Sequence, residues 1–292
     1  MTLVIALTGK KSIWLATDRR LSTTSRQWDS AVKTIALDGI DGSALLGYAG
    51  LGATGRQIEP SIWMRDLLVG HGGLTVEQAL GVIAEAMKAE MPSQLRKMPG
   101  RKIHGVLAPA LINGVPQLYS ISIDLGRSGA DSKFIFTRHV RSEPGNHAAR
   151  LGVAGSGANY LPPEKLWYRN LFRLLIAHEK GQVSAETIAD ELASLVKSTS
   201  NKDTFVSEDC IVQWRSNSGG FQFYSQGARV HQNAEIPTAA NGMNLNAIMN
   251  ALLPIVQDGF AAFRRGDAHE LDTARIQTEL NKTALIPKTK LQ

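Results

Sequence analysis

The sequence contains few of the residues on which several functional classes depend. A single cysteine, Cys210, occurs among 292 residues. This excludes an internal disulfide and agrees with a reducing compartment. The seven histidines are scattered, with no close pair at the spacing of metal ligands. We therefore expect no structural or catalytic zinc and no cofactor.

Long apolar runs are also absent. No run reaches the roughly 18 residues that a bilayer-spanning helix needs, and the N-terminus lacks the basic-then-apolar order of a signal peptide. Hydrophobic residues make up 43% of the chain and charged residues 20%, which is ordinary for a globular protein. The sequence thus predicts a cytoplasmic protein without a membrane partner.

Aromatic residues are scarce, at 6%, although the net charge is +6. The basic residues form short groups rather than a dense tract, and no motif resembles an RNA-binding sheet. We interpret the charge as a surface property that favours acidic partners, and we do not expect nucleic-acid binding.

Two apolar runs at the N-terminus, residues 1–8 and 13–18, flank a turn at Gly9-Lys10-Lys11-Ser12. This arrangement predicts a β-hairpin. Neither run alternates cleanly between apolar and polar residues, so we expect both faces of the hairpin to be covered. The first strand would then begin at the chain terminus itself.

Thr2 gives this terminus a possible chemical role. Removal of Met1 before a small residue would leave Thr2 with a free α-amine, whose pKa is about 8 in model compounds. A hydroxyl and an amine on one residue can act as nucleophile and general base. The alternative is a frayed chain end at which Thr2 does nothing.

Two charged residues follow at strand boundaries: Asp18 ends the second apolar run, and Lys33 opens the third. Together with Thr2, they resemble the reactive cluster of the proteasome β-subunit superfamily of N-terminal-nucleophile hydrolases. The similarity continues in the small-residue segment at 46–53 and in the turn at 155–157, and it covers about residues 2–230. It is closest in layout to the bacterial relatives that lack a propeptide.

The resemblance implies a role for each matching residue. Thr2 would attack a peptide carbonyl, Lys33 would lower the pKa of the hydroxyl and amine, and Asp18 would hold Lys33. A backbone N–H near Gly50 would stabilise the oxyanion. The remaining expected site residues are Ser156 and Asp203, which support the amine, and Arg20, which lines the substrate pocket. Ser207 stands one residue later than the serine of the family pattern.

Glu59-Pro60-Ser61 can start a helix, and Thr75 with Gln78 three residues later forms a capping-box pattern that opens a second helix. We expect a basic loop to follow from Pro92 to Lys102.

The order of the expected elements is strands, two helices, strands, two helices, strands. This order favours an α+β fold with two stacked sheets and a helix pair on each outer face, which is the four-layer αββα sandwich that the resemblance implies. We expect this domain to span residues 1–230. Residues 231–292 would form a linker, at 236–242, and a helical C-terminal extension with helical periodicity at 245–263 and at 267–280. This extension would pack on the chain's own core or on a neighbouring subunit.

These features predict a self-compartmentalising threonine-type endopeptidase that acts on polypeptides. The resemblance implies a homo-oligomeric ring and an ATP-dependent unfoldase as a candidate partner. Two alternatives stay open. The chain could be a catalytically silent proteasome-like assembly or scaffold protein, or an N-terminal-nucleophile amidohydrolase that acts on a small amide.

Overall fold

The computed structural model describes residues 2–22, 27–52, 59–97, 103–126, 133–139, 150–218, 221–226, 236–265 and 272–284. Two large β-sheets, a two-stranded ribbon and six α-helices lie within these ranges. The strands are β1 (Val4–Thr8), β2 (Ser12–Asp18), β3 (Leu21–Ser22), β4 (Gln27–Trp28), β5 (Thr34–Gly39), β6 (Gly42–Ala49), β7 (Ile103–Ile112), β8 (Val115–Asp124), β9 (Lys133–Arg138), β10 (Arg150–Ala154), β11 (Cys210–Ser216), β12 (Phe221–Gln226), β13 (Thr238–Ala240) and β14 (Met243–Asn244). The helices are α1 (Pro60–Leu68), α2 (Val76–Leu95), α3 (Glu164–Glu179), α4 (Ala185–Ser200), α5 (Leu245–Arg264) and α6 (Thr273–Ala284), with a 3₁₀ helix at Ser156–Tyr160.

The N-terminal hairpin is confirmed. β1 and β2 pair antiparallel, with Val4 opposite Thr17 and Thr8 opposite Ile13, and the Gly9 N–H closes the turn on the Ser12 carbonyl at 2.8 Å. Every residue of both strands is buried, as expected for a hairpin that is covered on both faces. The hairpin lies in a five-stranded antiparallel sheet of order β10-β1-β2-β11-β12.

The second sheet has seven strands in the order β14-β13-β5-β6-β7-β8-β9. Its pairs are antiparallel except that β13 runs parallel to β5, with the Ala36 N–H bonded to the Pro237 carbonyl. The interpretation of residues 236–242 as a linker is therefore wrong. A three-residue strand is too short to show a hydrophobic period, and partners distant in sequence determine its conformation.

Three apolar clusters hold these elements together. One packs α1 and α2 on the seven-stranded sheet, through residues such as Leu46, Met64 and Leu80. Another packs α3 and α4 on the five-stranded sheet, through Trp14, Leu171 and Leu192. The third contains residues of both sheets, including Val4, Leu15, Leu45 and Leu107. The architecture is mixed α and β, as the sequence predicts.

Helix α2 begins where the sequence predicts but ends later. Thr75 accepts a hydrogen bond from the Gln78 N–H, and the Gln78 side chain accepts one from the Thr75 N–H, so the expected capping box is confirmed. We expected a loop from Pro92 onward, yet the helix continues to Leu95. Met91 and Leu95 are both fully buried. We attribute the extra turn to this packing, which outweighs the helix-breaking tendency of Pro92.

The C-terminal region forms the two expected helices. α5 spans the predicted residues, whereas α6 begins at Thr273 rather than at residue 267, which lies outside the described residues. One face of α5 is covered, since Ile255 and Ala262 are buried, whereas Phe260 and Phe263 are exposed. In the part of the chain that the structure describes, no helix combines the length and apolarity that a membrane span requires.

Candidate active site

Thr2, Asp18 and Lys33, which are distant in sequence, meet in one buried cluster. The Lys33 Nζ lies 2.5 Å from the Thr2 Oγ1 and 2.9 and 3.0 Å from the two oxygens of the Asp18 carboxylate. The Thr2 hydroxyl also donates to Asp18. All three residues are at most 2% exposed. A hydroxyl, a carboxylate and an ammonium group therefore form a closed hydrogen-bonded triangle.

The strand pairing explains how the three side chains meet. Thr2 precedes β1, and Asp18 ends β2. The antiparallel pairing of these strands extends to their ends, where the Asp18 N–H donates to the Leu3 carbonyl at 3.1 Å. Lys33 comes from the other sheet, directly before β5, where its carbonyl accepts the Tyr48 N–H at 3.1 Å. The cluster thus bridges the two sheets at one end.

The Asp18 carboxylate also orders the backbone around it. One oxygen accepts the Leu3 N–H at 2.8 Å, and the other accepts the Arg20 and Ser207 N–H groups at 2.9 and 3.3 Å. A buried charge is tolerated only when it is paired and hydrogen-bonded. Burial lowers the pKa of the Lys33 ammonium, whereas the adjacent Asp18 carboxylate acts in the opposite direction.

The turn at residues 155–157 fixes the backbone of the nucleophile candidate. The Gly157 N–H donates to the Thr2 carbonyl at 3.2 Å. Gly155 has a φ of +98°, and a side chain at this position would overlap the same carbonyl oxygen. Only glycine combines that backbone angle with so close an approach. The turn that the resemblance singled out therefore lies against Thr2.

Ser156 and Asp203 contact each other beside this turn. The Ser156 hydroxyl donates to an Asp203 oxygen at 2.7 Å, and the other Asp203 oxygen accepts the Phe205 N–H at 2.9 Å. Ser207, which stands one residue later than the family pattern, contacts Asp18 through its backbone N–H. Its Oγ accepts the Asp209 N–H at 3.0 Å. The structure therefore brings Ser156 and Asp203 together beside the turn that contacts Thr2.

The Arg20 side chain binds other residues of the same chain. Its Nε and one terminal nitrogen each lie 2.8 Å from an oxygen of Asp29, and its other terminal nitrogen donates to the Thr204 carbonyl at 2.8 Å. The guanidinium holds the pKa of Asp29 below its usual range. Arg20 thus connects three segments around the site, and its expected role in binding substrate stays a prediction.

Gly50 directly follows β6. Its φ is +119°, and a side chain at this position would overlap the Ile103 carbonyl oxygen. The adjacent Leu51 N–H donates to the His104 Nδ1 at 3.0 Å. The expected role of Gly50 as an oxyanion donor stays a prediction.

The protonation of His104 should make the free energy of unfolding depend on pH. Burial lowers its pKa from 6.5 to about 4, so between these values the unfolded chain binds a proton there and the folded chain does not. The free energy of unfolding should fall by about 3 kcal/mol as the pH drops through this range. Denaturant titrations of the native chain and of His104→Gln at several pH values would measure this change in the free energy of unfolding. Glutamine is the chosen replacement because it does not titrate but can still accept the Leu51 N–H. An identical pH dependence in both proteins would contradict this expectation.

Glu59 is a neighbour of the site that the sequence did not indicate. Its carboxylate accepts the Val32 N–H at 3.3 Å, one residue before Lys33, and burial raises its pKa. Tyr48, fully buried beside Lys33, is within electrostatic reach of Glu59. We assigned Glu59-Pro60 only to the start of a helix, and no local pattern predicts a contact with residue 32.

A cavity of about 580 Å³ is lined by residues of β7, β8 and β10 together with His139. None of the three cluster residues lines it. Among the described residues, no group of three His, Cys, Asp or Glu side chains is placed to hold a metal ion.

Comparisons with known proteins agree with this description of the fold. No family model matches the chain, and no curated protein does. Among solved structures, Anbu from Hyphomicrobium sp. strain MC1 is similar with a TM-score of 0.50 and 12% identity, over 89% of this chain and 97% of that one. A Gly-1 mutant of the same protein gives 0.51 and 13%, over 90% and 100%.

A third similar structure is Anbu from Yersinia bercovieri, described as an ancestral β-subunit. Its TM-score is 0.50 with 13% identity, over 76% of this chain and 86% of that one. Identities this low concern the fold and not the activity. The chain therefore has a proteasome-like α+β fold.

Proposed function

We propose that the protein is a threonine-type hydrolase of the N-terminal-nucleophile class that cleaves peptide bonds. The observation that carries this proposal is the position of the Thr2 hydroxyl, which lies 2.5 Å from the Lys33 ammonium and donates to Asp18. Burial of an ion pair carries a desolvation penalty that the attraction between the two charges often does not repay, so such a pair is weak evidence for a purely stabilising role. Perturbed charges of this kind are concentrated at catalytic sites.

The proposed reaction begins after removal of Met1, which frees the Thr2 amine. The Thr2 Oγ attacks the carbonyl carbon while the amine, directly or through water, accepts the hydroxyl proton. The backbone at Gly50 stabilises the oxyanion. The tetrahedral intermediate collapses, the C–N bond breaks, and the proton passes to the leaving amine. Water then hydrolyses the ester and restores the Thr2 hydroxyl.

Lys33 and Asp18 contribute charge and orientation to this reaction. The ammonium of Lys33 favours the negative charge that develops on Thr2 Oγ. Asp18 keeps the ammonium in place and also binds the Leu3 N–H next to Thr2. Ser156 and Asp203 are proposed to orient the amine.

The proposal also covers the arrangement of the layers and the oligomeric form of the active protein. We infer that the two sheets and two helix pairs form a four-layer αββα sandwich, since one apolar cluster contains residues of both sheets and two others join each sheet to its helices. We further propose that the active form is a homo-oligomer that encloses its sites and cleaves unfolded polypeptides.

The test is modification of the purified protein by a peptide epoxyketone, followed by intact-mass measurement and peptide mapping. The reagent forms its ring adduct with the hydroxyl and the free amine of one terminal residue. We expect one adduct per chain, on Thr2, with Met1 removed. Thr2→Ala should give none. A retained Met1 or an unmodified Thr2 would contradict the proposal and favour the silent assembly protein.

Substrate comparison then separates the peptidase from an amidohydrolase. An unstructured polypeptide and a set of small amides would be incubated with the native chain and with Thr2→Ala. A peptidase cleaves the polypeptide, and the variant loses that cleavage. Hydrolysis confined to small amides would retain the nucleophile of the proposal and overturn its substrate.

A further inference from the structure

Strand β10 is an edge of the five-stranded sheet, and part of its backbone points away from the sheet. The Asp18 N–H bonds the Leu3 carbonyl, so the odd-numbered residues of β1 bond to β2. Successive residues of a strand turn their N–H and C=O groups to opposite edges. The even-numbered residues of β1 therefore bond to β10, at its residues 150, 152 and 154. The N–H and C=O groups of Leu151 and Val153 point outward, and within the described ranges they have no hydrogen-bond partner.

The facing sheet extends past this edge. β10 ends the five-stranded sheet, whereas the seven-stranded sheet continues through β8 to β9. Ser120 and Ser122 of β8 pair with Thr137 and Ile135 of β9 and share a face with them. Both serines are only partly buried, and Ile135 is 38% exposed. The described strands thus leave uncovered the place that the next strand after β10 would occupy.

The cavity of about 580 Å³ adjoins this place. It stays open because small residues face it from three strands: Gly105 on β7, Ser120 and Ser122 on β8, and Gly152 and Ala154 on β10. Its volume lies in the range of ligand sites. None of its described lining residues is Asp, Glu, Lys or Arg, so an uncharged side chain suits it best.

The outward groups of β10 indicate what kind of molecule fits. Leu151 and Val153 offer N–H and C=O groups that repeat every second residue, a pattern that another extended backbone complements. All pairs of the five-stranded sheet are antiparallel, so an antiparallel addition continues it. Polar backbone groups beside a partly apolar cavity also gain from such a partner.

The two faces of β10 determine where the side chains of an added strand would point. Leu151 and Val153 pack on the cluster that joins this sheet to α3 and α4. Gly152 faces the other sheet, since a Cβ on it would lie 3.3 Å from side-chain atoms of Leu107 and Leu118. Residues directly opposite each other share a face. Side chains opposite Gly152 and Ala154 would therefore enter the cavity.

A second copy of this chain fits this place less well than a different peptide. Two β10 edges that pair antiparallel would present Gly152 and Ala154 of the second copy to the cavity. A hydrogen atom and a methyl group would leave most of its volume unfilled. A strand with larger apolar side chains at alternate positions would fill it.

We propose that the β10 edge and the adjoining cavity bind an extended, uncharged segment of another polypeptide, which adds antiparallel to the five-stranded sheet. Branched apolar side chains at alternate positions enter the cavity. The segment covers Ser120, Ser122 and Ile135 and supplies partners to Leu151 and Val153. The inference is independent of the chemistry at Thr2.

The first test measures peptide binding to the full-length protein by fluorescence anisotropy. The probe is a short fluorescein-labelled peptide of alternating valine and threonine, whose valines enter the cavity and whose threonine N–H groups bond to β10. N-methylation of two threonines removes two hydrogen bonds and should raise the dissociation constant at least about tenfold. N-methylation of two valines, whose N–H groups point away from β10, is the matched control and should change it far less. Absence of saturable binding, equal effects of the two methylations or the reverse order would overturn the proposal.

The second test changes β10 itself. Val153→Pro removes an outward N–H but no bond to β1, and proline is tolerated at such an edge position. It should weaken binding of the unmethylated probe at least about tenfold. Val153→Ala also loses the valine side chain but keeps the N–H, so it should bind like the native chain.

Thermal unfolding of both variants verifies that they fold, and the methylated peptides decide the question on the native chain if Val153→Pro does not. Equal binding by folded Val153→Pro and Val153→Ala would contradict the proposal. So would a dimer that dissociates in Val153→Pro, because a second copy would then occupy the edge.

Discussion

Asp18→Asn is expected to abolish epoxyketone labelling of Thr2 and to lower the free energy of unfolding by about 3–5 kcal/mol. The substitution preserves the shape of the side chain but removes its charge. Lys33, which is 1% exposed, would then be a buried cation without its partner, and burial already lowers its pKa. It would lose its proton or draw water into the site. Denaturant unfolding and intact-mass labelling measure the two effects.

A double-mutant cycle distinguishes this explanation from a general loss of packing. Lys33→Met alone leaves the Asp18 carboxylate buried and should destabilise the protein by a similar amount. The double variant Asp18→Asn, Lys33→Met contains no uncompensated charge, so its loss of stability should be clearly smaller than the sum of the single losses. Labelling of Thr2 should stay absent in all three variants. Additive losses of stability would show that the ion pair is not coupled.

Gly155→Ala is expected to give the second large effect, a decrease in the labelling rate of Thr2 by a factor of about 100. The added methyl group would overlap the Thr2 carbonyl oxygen, and the φ of +98° is unfavourable for alanine. The chain must therefore move at the residue that carries the hydroxyl. A displacement of this residue by about 1 Å is enough for such a loss. Labelling kinetics at several reagent concentrations measure the effect.

Gly181→Ala is the control for the backbone angle alone. Gly181 has a φ of +71°, and no atom lies within 4 Å of an added methyl group. Its substitution should cost about 1–2 kcal/mol in stability and leave the labelling rate unchanged. If both alanine variants label equally fast, contact between Gly155 and Thr2 is not important for reactivity.

Much of the fold follows from local sequence patterns. The N-terminal hairpin, the start of α1 at Pro60 and the capping box at Thr75 each depend on a few neighbouring residues, and each was predicted correctly. The meeting of Thr2, Asp18 and Lys33 was expected from a resemblance, since spacing alone does not bring together residues 16 and 31 positions apart. Their catalytic roles stay predictions.

The features that sequence reasoning missed depend on contacts between distant segments. β13 forms because β5 offers an edge to it, and α2 extends past Pro92 because Met91 and Leu95 are buried. The Arg20 contact with Asp29 and Thr204 and the position of Glu59 beside Val32 likewise join separate parts of the chain. Local propensity has no information about such partners.

The parallel pairing of β13 with β5 affects how the protein opens. Lys33 directly precedes β5, and β13 makes β5 an inner strand of the sheet instead of its edge. If residues 236–240 detached, the Ala36 N–H would lose its partner, the Pro237 carbonyl. Native proteins open locally as well as globally, and such local openings expose backbone groups to water. Detachment of the C-terminal region would therefore make β5 an edge strand and expose the backbone beside Lys33 to water.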